Sequence, residues 1–167
     1  AWNNHQASFI WFPVDAYAWE GFTYFASNQQ YDYDEDDLFR YLNIIPKLSR
    51  VCQRSDNDKL DSYAEITLMC HGQDGTDYNL VQDVHIGVVA YDLAHTLNFN
   101  PGQRVLYAVF ATRQVDRNLP SNPSALCIFD LDEIAEEFVK AIQACLEDTS
   151  DDSAIKYLEG GRCNAVS

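Results

Sequence analysis

Alternation of apolar and polar side chains runs through much of the chain and predicts strands rather than helices. Residues 21–27 (GFTYFAS) alternate with a period of two, which places every second side chain on the same face of a strand. An apolar run at residues 8–14 (SFIWFPV) comes before them. We predict that the two segments are neighbouring strands joined across a turn that contains Asp15 and Gly21.

Further segments show the same character and are separated by turn-forming residues. Residues 62–70 (SYAEITLMC) alternate over their whole length, whereas residues 105–111 (VLYAVFA) are apolar on both faces, as expected of a buried central strand. Between the last two strands lies a polar, Pro-rich stretch, VDRNLPSNP, which we expect to be a loop. The predicted strands of this part of the chain are 47–53, 62–70, 78–86, 105–111 and 124–130.

Two segments have the period of a helix instead. In residues 88–97, apolar side chains recur every four positions, and in the segment that follows Asp130 an apolar stripe extends to Cys145. Asp130 can cap this second helix, and Glu133 stands three residues later, as in a capping box. Many short strands with one or two short helices inserted predict an all-β fold of the sandwich, barrel or propeller type.

The charge of the chain excludes several classes of partner. Its 167 residues contain 11 Lys and Arg against 26 Asp and Glu, a formal net charge of −15. Such a surface repels phosphate backbones and anionic lipids, so we expect neither nucleic-acid binding nor direct membrane contact. It favours a basic partner, although acidity by itself also serves solubility.

The histidines and the acidic stretch give weak signals for a metal site. His71 lies close in sequence to Asp74 and Asp77, but a Gly-Asp turn of this composition needs no metal. Residues 31–37 (YDYDEDD) lack the ligand spacing of an EF-hand and are expected to be solvated. The other histidines, none at a recognised motif spacing, are His5, His85 and His95.

Catalytic motifs are also missing from the sequence. It contains no G-x-S-x-G elbow and no phosphate-binding glycine loop. Paired acids such as Glu136 and Glu137 are neighbours in sequence, whereas a hydrolase needs carboxylates that converge across a cleft. We therefore predict that the chain is not an enzyme and holds neither a metal nor a cofactor, with a secreted acidic hydrolase as the remaining enzymatic alternative.

The cysteines carry the clearest chemical signal. No C-x-x-C pair and no zinc-finger spacing is present, so disulfides of an extracellular protein are expected. Their number is odd, so one thiol is free or has its partner outside this chain. Spacing alone leaves many pairings open. A bridge between Cys70 and Cys127, which both lie on predicted strands, would stabilise the fold by about 4 kcal/mol in the loop-entropy model. The five are Cys52, Cys70, Cys127, Cys145 and Cys163.

Taken in order, several of these segments resemble the sema domain of plexins. The resemblance extends from about residue 20 to the end of the chain, and it is specific through the order of the segments and the placement of the cysteines. The segments are GFTYFASNQQ (21–30), SRVC (49–52), SYAEITLMC (62–70), YNLVQDVHI (78–86), VLYAVFA (105–111), SALCIFDLDEI (124–134) and AIQAC (141–145).

This resemblance implies a fold and a set of disulfides. Residues 1–167 would form part of a seven-bladed β-propeller, about three to four blades truncated at both ends, at roughly 40–50 residues per blade. In the plexin pattern Cys70 pairs with Cys127 and Cys145 pairs with Cys163. Cys52, unpaired in this fragment, would pair with a cysteine beyond Ser167.

The resemblance also implies a function. The chain would belong to the extracellular portion of a plasma-membrane receptor that binds semaphorins in axon guidance and cell-guidance signalling. Two related families are alternatives. Receptor kinases of the hepatocyte-growth-factor-receptor type share the SALC-like strand and the bridge from Cys70 to Cys127, whereas semaphorins share the fold but depart in the segment at 62–70.

Overall fold

The computed structural model describes residues 11–30, 44–53, 62–114 and 119–146. Within these ranges strands predominate and two helices are present, which confirms the predicted all-β class with short inserted helices. The elements are β1 (Trp11–Trp19), β2 (Phe22–Gln30), β3 (Ile44–Cys52), β4 (Ala64–Thr67), β5 (Cys70–His71), β6 (Asp77–Tyr78), β7 (Leu80–Val88), α1 (Tyr91–Leu97), β8 (Arg104–Arg113), β9 (Pro120–Asp130) and α2 (Leu131–Leu146).

The first sheet is an antiparallel meander in the order β1-β2-β3-β4. A two-residue turn joins β1 to β2, and both of its residues have positive φ, 46° at Glu20 and 81° at Gly21, as in the tight hairpin turn that suits twisted strands. The prediction that this turn also contains Asp15 is wrong. Asp15 lies within β1, because a register shift after Pro13 absorbs the irregularity and lets the strand continue to Trp19.

The second sheet has the order β7-β8-β9, and a short ribbon, β5-β6, connects the two sheets along the chain. The prediction of one strand over residues 62–70 is wrong, since pairing stops at Thr67 and resumes in a different sheet at Cys70. The predicted Pro-rich loop is also partly wrong, since β9 already begins at Pro120. Among the described strands β9 is an edge strand, where proline is tolerated because no ladder hydrogen bond is needed on one side.

The main core lies where the first sheet faces the second. Strand β7 contacts β1, β2 and β3 of the first sheet, and α2 packs against β4, β8 and β9. The largest side chains that these contacts bury completely are Leu48, Leu106, Phe110 and Phe138, and apolar burial of this kind is the main stabilising term.

The two helices occupy different places around the second sheet. Helix α2 begins after Asp130, whose Oδ1 accepts a hydrogen bond from the Asp132 backbone N–H at 2.9 Å, as the capping signal predicts. Helix α1 is shorter than the predicted 88–97, because Val88 still belongs to β7. It forms a second, smaller core in which Val89, Ala94 and Val105 are buried.

Candidate functional site

The four cysteines within the described residues lie on four different elements. Cys70 on β5 and Cys127 on β9 form a disulfide with an S–S distance of 2.03 Å, which links the ribbon to the second sheet. Cys52 ends β3 with a half-buried free thiol. Cys145 lies on α2 and Cys163 lies outside the described residues, so their bridge stays a prediction.

The candidate metal site around His71 is an ordinary exposed turn. His71 Nδ1 is 3.4 Å from Asp77 Oδ1, and both side chains are largely in solvent. Asp74 Oδ1 accepts the backbone N–H of Thr76 at 3.0 Å, and this hydrogen bond holds the pKa of Asp74 below its usual value. Within the described ranges, no three His, Cys, Asp or Glu residues converge on a point that could hold a metal.

The remaining candidates do not assemble into a cluster. His85 is exposed on β7, and His95 is exposed on α1. Glu136 and Glu137 are exposed on α2, where Glu137 Oε1 lies 2.7 Å from Lys140 Nζ and raises the pKa of that amine. His5 and the acidic segment 31–37 lie outside the described residues.

Polar groups with specific partners occur instead at the junction of the two sheets. The Nδ2 of Asn28 on β2 donates to the carbonyl oxygen of Val81 on β7 at 2.7 Å, and the Asn28 Oδ1 accepts the Val81 N–H at 2.9 Å. Both residues are buried. One side chain thus satisfies both backbone hydrogen-bonding groups of a buried residue in the facing sheet, as buried polar groups require.

Arg50 forms the second polar link and joins β3 to α2. Its guanidinium carbon lies 4.3 Å from the ring centroid of Phe22 and 4.3 Å from that of Phe138, so the cation is held between two aromatic faces. A looser contact of the same kind occurs at the C-terminal end of β1, where the Arg104 guanidinium lies 5.1 Å from the ring centroid of Trp19, the cross-strand partner of Phe22.

A third polar group is buried on the opposite face of the first sheet, around the Glu65 carboxylate. Its Oε2 accepts hydrogen bonds from the Tyr63 hydroxyl at 2.6 Å and from the Gln29 Nε2 at 2.8 Å, while Oε1 lies 3.5 Å from Lys47 Nζ. The charge is therefore both hydrogen-bonded and paired, which is the condition under which a carboxylate can be buried.

Sequence reasoning did not single out these polar residues. A signal was available for Asn28, since it takes the next position after Tyr24 and Ala26 on the buried face of an alternating strand. A polar residue at such a position needs a buried partner. The aromatic partners of Arg50 come from distant segments, and so do two of the partners of Glu65, Gln29 and Lys47, so no local pattern could identify them.

Residues 89–103 connect β7 to β8 and form a long surface segment at one end of the two sheets. It contains α1, whose Tyr91 is 71% exposed and whose Leu97 is 42% exposed. The corresponding connection in the first sheet is the two-residue turn after Trp19. The contact between Arg104 and Trp19 places both connections at the same end of the packed sheets.

The described part of the chain contains no helix that is both long enough and apolar enough to span a membrane.

Comparison with known proteins agrees with this architecture. Residues 81–163 match the family model described as the Sema domain. Plexin-A4 of Danio rerio is 37% identical over 100 residues, which make up 59% of this chain and 5% of that protein. Plexin-A2 of Mus musculus is 29% identical over 140 residues, 80% of this chain and 7% of that protein. The chain therefore spans only a small part of the length of these relatives.

A solved structure shows the same relationship. The full extracellular region of Plexin A4 matches with a TM-score of 0.64 and 25% identity, over 82% of this chain and 15% of that chain. The two face-to-face sheets thus correspond to part of a sema β-propeller, as the sequence predicts.

Proposed function

We propose that this chain, which belongs to the plexin family and is part of its sema domain, serves in the extracellular portion of a plasma-membrane receptor that binds semaphorins. The observation that carries the proposal is the agreement of sequence and structure with plexin A ectodomains. The order of the segments, the sheet packing and the family-model match all correspond to the same domain. The number of blades in residues 1–167 stays a prediction.

The charge of the chain bears on the kind of ligand that it would recognise. The net charge of −15 favours a ligand with a basic contact surface.

The connection at residues 89–103 is our proposed contact surface for the semaphorin. Tyrosine is enriched among residues that dominate protein interfaces, because a large ring buries much area at low entropic cost. Tyr91 is the most exposed large hydrophobic side chain of the described residues, and Asp92 beside it is acidic. A basic semaphorin surface with an apolar centre would fit this combination.

Binding of purified semaphorin ectodomains to the receptor ectodomain that contains this chain, measured by surface plasmon resonance, tests the receptor proposal. We expect saturable binding by at least one semaphorin class. An ectodomain that is folded by circular dichroism but binds no semaphorin would contradict the proposal.

Two variants then test the contact surface. Tyr91→Ala should weaken the affinity, whereas Met69→Ala, a similarly exposed position between β4 and β5, should not. Equal affinities for both variants and the parent would remove the connection at 89–103 as a contact surface while leaving the receptor proposal intact.

A further inference from the structure

Gln103, the last residue of the connection at residues 89–103, holds the two ends of that connection together. Its carbonyl oxygen accepts the backbone N–H of Val89 at 2.9 Å, where the connection begins. Its side-chain Oε1 accepts the backbone N–H of Asn100 at 2.9 Å, where the final turn begins. The Gln103 N–H closes this turn by donating to the Asn100 carbonyl oxygen at 3.0 Å, and Gly102 supplies the positive φ of 81° that a type II turn requires.

The same side chain links the connection to the start of α2. The Gln103 Nε2 donates to Asp130 Oδ2 at 2.8 Å, and Asp130 Oδ1 accepts the backbone N–H of Asp132 at 2.9 Å. Gln103 and Asp130 are both half-buried, so water competes less for these hydrogen bonds than on an open surface. The two side chains thus form a row of three hydrogen bonds that runs from the Asn100 N–H to the Asp132 N–H.

Helix α1 needs such support from outside. It has seven residues, and a helix of this length is not stable by itself. No side-chain hydrogen bond caps its N-terminus at Ala90. Tyr91 and Asp92, the residues that we propose as semaphorin contacts, lie in its first turn. The position of these two side chains therefore depends on how the ends of the connection are fixed.

We propose that Gln103 is a positioning residue of the semaphorin contact surface and holds this surface in its binding conformation through the Asp130 carboxylate. The inference rests on the proposed function, since it concerns the same surface. Gln103 needs no contact with the ligand in this role. A surface that is fixed before binding loses less conformational entropy on binding, and nearly all of its population is competent to bind.

The order of donors and acceptors in the row of hydrogen bonds makes the role testable. Both ends of the row are backbone N–H groups, so the outer atoms of the two side chains must be acceptors. Of the two inner atoms, one must donate and the other must accept. Asp130→Asn would bring two amide donors together, and Gln103→Glu would bring two carboxylate oxygens together. The double variant exchanges donor and acceptor, satisfies every group again and keeps the net charge of the parent.

Surface plasmon resonance of the receptor ectodomain with semaphorin measures the effect. Gln103→Glu and Asp130→Asn should each lower the association rate constant about fivefold, because a smaller fraction of the surface is competent to bind. The double variant should recover the parental rate. Tyr91→Ala, which removes a contact, should instead raise the dissociation rate constant. Parental association rates in both single variants, or no recovery in the double variant, would overturn the proposal.

Gln82→Glu is the matched control, because it makes the same change on an exposed side chain of β7 and should keep the parental affinity. An added negative charge by itself would speed association with a basic ligand, so slower association of Gln103→Glu would not be an effect of charge.

Amide hydrogen exchange of the free ectodomain separates this proposal from the receptor proposal. The amides of Val89 and Asn100 should exchange about fivefold faster in each single variant and at the parental rate in the double variant. Unchanged exchange in the single variants would overturn the positioning role even where semaphorin binds. A folded parent that binds no semaphorin would contradict the proposed function, and the exchange rates would still show whether Gln103 fixes the connection.

Discussion

Asn28 binds the backbone C=O and N–H of Val81 with the two ends of its carboxamide, at 2.7 and 2.9 Å, and so joins the first sheet to the second. The two residues are separated by 53 positions in the chain. Replacing Asn28 by Asp keeps the shape but removes the donor and brings a carboxylate against a carbonyl oxygen. We expect a loss of about 2 kcal/mol in the free energy of unfolding, measured by urea denaturation.

The matched control for this substitution is Asn100→Asp on the exposed loop after α1. It changes the same functional group in solvent and should leave the urea midpoint where it is. If both variants unfolded at the parent midpoint, the Asn28 carboxamide would not stabilise the packing of the two sheets.

Loss of the planar guanidinium of Arg50 should destabilise the fold even when the positive charge is kept. Arg50→Lys replaces a guanidinium held between Phe22 and Phe138 by an ammonium that cannot stack on both rings. We expect destabilisation of about 1 kcal/mol. In thermal denaturation, Tm should fall further for Arg50→Lys than for Arg104→Lys. Arg104→Lys is the control, because the contact of Arg104 with Trp19 is longer and more exposed.

Removal of one member of the buried pair Lys47–Glu65 should destabilise the first sheet more than removal of both. Glu65→Gln leaves the Lys47 ammonium buried without its counter-ion, at an expected cost on the order of 3 kcal/mol. The double variant Lys47→Met, Glu65→Leu should recover part of that loss. A double-mutant cycle by urea denaturation measures the coupling, and Glu137→Gln in the exposed pair with Lys140 is the control expected to have no effect.

The Cys70–Cys127 bridge should contribute about 4 kcal/mol, since it closes a loop with a sequence separation of 57 residues. Replacement of both cysteines by serine should lower the urea midpoint accordingly. Non-reduced peptide mapping of the receptor ectodomain is the more specific measurement. It should find Cys70 with Cys127 and Cys145 with Cys163, and a bridge from Cys52 to either strand cysteine would contradict the assignment.

Tyr17 should make the fold sensitive to alkaline pH. Burial, with a smaller contribution from Tyr24, raises its pKa above the usual range, and its hydroxyl oxygen is buried without a hydrogen-bond partner. A group whose pKa is raised in the folded state stabilises the fold below its unfolded pKa of about 10. That stability is lost as the pH rises from there toward the folded pKa.

Tyr17→Phe removes this loss, so Tm should fall less between pH 8 and about 10.5 than in the parent. Tyr91→Phe, which changes an exposed hydroxyl, is the control and should keep the parental pH profile. The same fall in Tm for all three proteins would show that Tyr17 does not cause the sensitivity.

The local sequence pattern predicted the existence of the strands and helices better than their boundaries. The alternation at 21–27 and the capping by Asp130 correspond to β2 and α2, because both signals depend on residues close in sequence. The strand predicted over 62–70 is divided instead. Its first part pairs with β3 and its last residue pairs with Tyr78, and alternation cannot tell which neighbour a strand will have.

The sequence by itself determined the all-β class, the absence of recognised catalytic motifs, and the resemblance to the sema domain, since each depends on residue order and spacing. The tertiary structure decided which faces meet: that Asn28 reaches Val81 and that Arg50 lies against Phe138. The physical reason is that periodicity assigns a side chain to a face of its own strand. The partner of that face is set by long-range packing and by buried polar groups that must find their hydrogen bonds across it.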